Sequence, residues 1–92
     1  MLNNYKQFDE CFISNKAFAV YSQLVYDEQC KIKLLFKSIA VCTPEMLPVL
    51  PIQGIPGNYR WKLEKYSLIL RTFQGRLVVE DIVTNIVIDQ LK

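Results

Sequence analysis

The chain has 92 residues, 51% of them hydrophobic and 22% charged, with a formal net charge of +2. This length makes one domain that can bury a real core with a thin stability margin, and the balance excludes a disordered chain. No apolar run approaches the ~18 residues that a membrane helix needs. The opening Met1-Leu2-Asn3-Asn4-Tyr5-Lys6 also lacks the apolar stretch of a signal peptide, so a cytoplasmic protein without a membrane partner is expected.

The charge is only mildly basic and does not by itself announce nucleic acid, since strong binders usually have a pI above ~9. There are three cysteines and no histidine. Cys11, Cys30 and Cys42 are far apart and odd in number, which reads as reduced, buried packing thiols. Without a histidine or a close cysteine pair, no metal site is expected, and no cofactor is indicated. The usual general base is missing too, so any catalysis would fall to Arg, Lys, Tyr or carboxylates.

In chain order, Phe8 to Ile13 reads as a single edge strand. Ser14 or Asn15 is suited to cap a helix, and Phe18, Tyr21, Leu24 and Val25 follow at helical spacing. Asp27 is suited to cap a second helix, with Ile32, Leu35, Phe36 and Ile39 on one stripe. Lys31, Lys33 and Lys37 then form its wet side. A hairpin competes here, since Cys30, Ile32, Leu34 and Phe36 also alternate. Its turn, Tyr26-Asp27-Glu28-Gln29, has no residue suited to positive φ, which favours the helices.

Thr43-Pro44 ends the helical pattern, because proline disfavours α geometry in the residue before it. Glu45 to Asn58 is a loop rich in proline and glycine, yet apolar enough to pack on the rest. Three strand-like runs follow: Gly57 to Leu63, Lys65 to Phe73 and Arg76 to Val83, with Gln74-Gly75 as a tight turn. Period-two alternation puts Arg60 and Lys62 on one face and Trp61 on the other, as a core anchor. Glu64, Glu80 and Asp81 read as solvated strand-end charges. Ile82 to Leu91 suits strand or helix, and its β-branched content favours strand. This apolar tail is either core or an edge open to a partner strand.

An edge strand, a helix pair, a loop and a meander make an α+β domain whose layout resembles the RelE/ParE toxin superfamily. At residue level the likeness lies in Gly57-Asn58-Tyr59-Arg60-Trp61-Lys62, then Tyr66-Ser67-Leu68-Ile69-Leu70, then Gly75-Arg76-Leu77-Val78-Val79-Glu80-Asp81-Ile82. These are similar to the family's Gly-x-Tyr-Arg element and its two following strands. The resemblance implies an N-terminal edge strand, a helical hairpin and a C-terminal antiparallel β-meander. It also implies a type II toxin–antitoxin component, with an antitoxin protein as partner and homo- or hetero-oligomers both open.

In the messenger-RNA-cleaving branch two basic residues sit on the first meander strand, and Arg60 and Lys62 match them as candidate catalytic residues. With Arg71 and Arg76 they make the candidate RNA-binding set. Two departures weaken cleavage. Ser67 stands where an arginine normally follows the tyrosine, and residues 83–89 carry no basic residue and no tyrosine. The resemblance therefore implies a toxin-like protein, weakly catalytic or non-catalytic, that binds a cellular target. DNA gyrase is the target associated with the ParE branch. The alternatives are a ribosome-dependent messenger-RNA endonuclease using Arg60 and Lys62, and a degenerate scaffold that serves only as a protein-interaction module.

Overall fold

The computed structural model describes residues 4–85. Among the described residues, two helices pack on one face of a six-stranded mixed sheet. The strands are β1 (Tyr5–Phe8), β2 (Cys11–Ser14), β3 (Leu50–Pro51), β4 (Asn58–Lys62), β5 (Tyr66–Phe73) and β6 (Arg76–Thr84). The helices are α1 (Asn15–Gln23) and α2 (Tyr26–Val41), and the sheet order is β1-β2-β6-β5-β4-β3.

The expected single strand over Phe8 to Ile13 is instead part of a hairpin. Tyr5–Phe8 pairs antiparallel with Cys11–Ser14, and Phe8 stands opposite Cys11. Asp9 takes φ +59° in the two-residue turn. Aspartate tolerates this left-handed geometry better than most residues. The outer strand of the hairpin, not the inner one, is the sheet edge. β2 runs parallel to β6, with Ile13 beside Val79. The β4–β5–β6 meander is present as expected, but it lies inside a larger mixed sheet rather than forming a simple meander.

Helices, not a hairpin, fill residues 15–41. Ser14 caps α1, its Oγ accepting from the Ala17 N–H at 2.9 Å. α1 ends where Leu24 and Val25 turn extended, and α2 begins at Tyr26. Asp27 is therefore not a cap: it lies with Glu28 in the first turn of α2, where acidic side chains complement the helix dipole. Val25 lies outside the expected helical stripe and is exposed. Ile32, Phe36 and Ile39 are buried, while Lys31, Lys33 and Lys37 face outward.

Pro44–Met46 forms one 3-10 turn after α2. The loop beyond it contributes the two-residue strand β3, which pairs with β4 at Leu50↔Arg60 and Pro51↔Tyr59. Leu47 and Val49 pack against the core, but Met46, Leu50 and Ile55 are exposed. Gln74 (φ +51°) and Gly75 (φ +78°) make the tight β5–β6 turn, whose left-handed pair suits a two-residue hairpin. Strand β6 runs to Thr84, and the expectation for residues 86–91 lies outside the described residues.

The main core joins Cys11, Ile13, Ala17, Tyr21, Ile32, Phe36, Ile39, Trp61, Leu68, Leu70, Leu77, Val79 and Ile82. Trp61 is a core anchor, as its alternation requires. Phe8, Tyr21 and Phe36 cluster with ring centroids 5.2–5.8 Å apart, a range in which aromatic pairs add to simple burial. Cys11 is buried, but Cys30 is exposed and Cys42 only half-buried. The expectation of three packing thiols thus fails at Cys30, which falls on the outer side of α2. Among the described residues no helix is long and apolar enough to cross a membrane.

Candidate functional site

With α1 and α2 on one face of the sheet, the candidate site is its other face, on which the described residues place no helix. Alternation fixes what lies there. Arg60 and Lys62 project from β4. The register then sets Arg71 opposite Asn58, and Arg76 opposite Phe73. All four expected basic residues therefore share this open face.

Their electrostatic settings differ. Arg60 is half-buried; its Nε donates to Ser67 Oγ at 2.9 Å and its Nη2 to Asn85 Oδ1 at 3.4 Å. Ser67 Oγ in turn donates to Asn85 Oδ1 at 2.5 Å, and Asn85 Nδ2 donates to the Leu63 and Glu64 carbonyls. Ser67 and Asn85 are both buried. The chain of donors from guanidinium to hydroxyl to amide to carbonyl leaves every member satisfied, and such networks rigidify what they join. Arg60 thus serves as a strut between β4, β5 and the end of β6, with two of its five N–H donors engaged by neutral oxygens. Lys62 stands beside it, exposed, with no carboxylate partner among the described residues.

Two strands across the same face, on β6, a β-bulge re-aims two carboxylates. The β5–β6 register shifts between Ile69 and Leu70: Ile69 faces Asp81 and Leu70 faces Val79, which leaves Glu80 as the extra residue. Glu80 accepts a hydrogen bond from the Tyr5 hydroxyl and lies 3.7 Å from Arg71 Nη1. Asp81 pairs with Lys16 at 3.2 Å. The Ser14 hydroxyl donates to the Glu80 carbonyl at 2.7 Å, so the helix cap also pins the bulge. Tyr5, Ser14, Lys16, Arg71 and Glu80, with Asn4 and Asn15, rim a depression of about 410 Å³. Burial, reinforced by the neighbouring Asp81 charge, raises the Glu80 carboxyl above its ordinary value. Glu80 and Asp81 are therefore not the solvated strand-end charges that alternation alone suggests.

Tyr5, Ser14, Lys16 and Glu80 were not apparent as a group from the sequence. Two successive carboxylates inside an otherwise alternating strand, Glu80-Asp81, are the one local sign of the bulge. Nothing local brings Tyr5 to Glu80.

The arrangement bears on phosphodiester cleavage. In-line displacement sets the attacking and leaving oxygens on opposite sides of phosphorus, so base and acid must flank the phosphate. On the described face two half-buried carboxylates lie side by side: Asp81 is paired with Lys16, and Glu80 is hydrogen-bonded to the nearest phenol, Tyr5. A directly bonded pair cannot stand on both sides of one phosphate. Arg60 and Lys62, two strands away on β4, make no bond to a carboxylate or phenol among the described residues. Among the described residues no group of His, Cys, Asp or Glu is arranged to hold a metal ion.

No protein-family model matches the chain, and no match is found among curated proteins or solved structures.

Proposed function

We propose that this chain is a small α+β binding domain that presents a charged sheet face to a macromolecular partner. Within that class, the reading that fits its motifs best is a toxin-like component of a type II toxin–antitoxin system of the RelE/ParE kind. It acts by binding a cellular target and is held in check by an antitoxin protein. The succession of strand, helix pair and meander, and the basic pair on the first meander strand, support this reading.

The observation that carries the non-catalytic form is the engagement of Arg60 by Ser67 and Asn85. A residue that must stabilise a phosphorane has to offer its charge to the substrate. Arg60 is instead fixed in the sheet by two neutral partners, and Ser67 stands where the cleaving branch supplies a further arginine. The endonuclease alternative would have to rest on Lys62 with Arg71 or Arg76, and the acid nearest Arg71, Glu80, is already bonded to Tyr5.

Induced expression in a bacterial host tests the reading. Growth arrest with intact messenger RNA is the expected result, and DNA damage in the arrested cells would point to gyrase as the target. Harmless accumulation to high level would remove the toxin reading. Rapid loss of messages, abolished by Arg60→Ala with Lys62→Ala, would replace it with the nuclease.

A further inference from the structure

We draw no further inference here: the strongest candidate, the exposed stripe of Tyr26, Cys30, Leu34 and Val41 on the outer side of α2 with the depression that Asp9, Lys33 and Lys37 line beside it, carries charges of both signs, and nothing in the structure shows what covers it.

Discussion

Arg60 Nε donates to Ser67 Oγ at 2.9 Å, a side-chain bond that ties β4 to β5 beside their backbone ladder. Through Ser67 the bond continues to Asn85, whose amide holds two carbonyls of the β4–β5 connection. The residue that most suggests phosphate binding in the sequence is thus part of the fold's bracing. Because Asn85 is 6% exposed, its loss leaves buried polar groups without partners. Asn85→Ala should destabilise the protein by about 2 kcal/mol, and Ser67→Ala by about 1 kcal/mol. Lys62→Ala, at an exposed position, should stay within about 0.5 kcal/mol of wild type. Urea unfolding of the three variants measures the order. A Lys62→Ala cost equal to that of Asn85→Ala would contradict the bracing role.

Glu80 sets a pH dependence. Its carboxyl is raised above the ordinary value of 4.5, first by burial and then by Asp81. In the window between the ordinary and the raised value, the folded state binds more protons than the unfolded state. Folding stability therefore falls as pH rises through that window. Glu80→Gln removes this titration. The stability of wild type relative to Glu80→Gln should be greatest below the ordinary glutamate value and decline as pH rises toward neutrality. Denaturant midpoints over a pH series test it, and a difference that grows with rising pH would reverse the sign.

The three thiols should separate cleanly. Burial, helped by the Asp9 charge, pushes the Cys11 thiol up to about 12, so only about 10⁻⁴ of it is thiolate at pH 8. Cys30 is exposed on α2 and Cys42 half-buried. Mass spectrometry after timed iodoacetamide treatment at pH 8 should show Cys30 modified first, Cys42 more slowly, and Cys11 only after denaturation. Early labelling of Cys11 would mean that the β1–β2 hairpin opens in the native state.

Ser14 joins helix start and bulge through one oxygen. Its Oγ accepts from Ala17 N–H and donates to the Glu80 carbonyl. Ser14→Ala should cost about 1–2 kcal/mol, the upper part of the range for a lost cap. Ser22→Ala should be nearly silent, because Ser22 is exposed and bonds only the preceding turn. Thermal unfolding of both variants tests the contrast, and equal shifts would mean that the Ser14 contacts contribute little.

Phe36 is fully buried and meets Phe8 and Tyr21 edge-on or tilted. Phe36→Ala should cost about 3–5 kcal/mol, enough to threaten folding in a domain this small. Phe36→Leu should restore much of that. A Phe36→Ala protein with near-native stability would show that α2 does not seal the core.

Much of the backbone was legible because the governing interactions are local. Ser14 before an amphipathic run announces a helix start, Thr43-Pro44 a stop, and Gln74-Gly75 a hairpin turn. The stripe of Ile32, Phe36 and Ile39 distinguishes a helix from the competing hairpin, because its three-to-four spacing places all three on one buried side. The N-terminal hairpin was hidden because its turn uses Asp9-Glu10, without glycine. β3 was hidden because two residues carry no period. Glu80 was misread because a bulge breaks the alternation on which the reading of β6 depends.

Local patterning along the chain dictates which segments are helix and which belong to the meander. It also dictates that Arg60 and Lys62 share a face opposite Trp61, because each of these follows from neighbours a few residues apart. What those charges touch depends on contacts between residues far apart in the chain. Tyr5 reaches Glu80 across 75 positions of chain, and Arg60 reaches Asn85 across 25. A side chain's electrostatic role depends on which groups lie within a few ångströms of it, and strand register, not proximity in the chain, sets those distances.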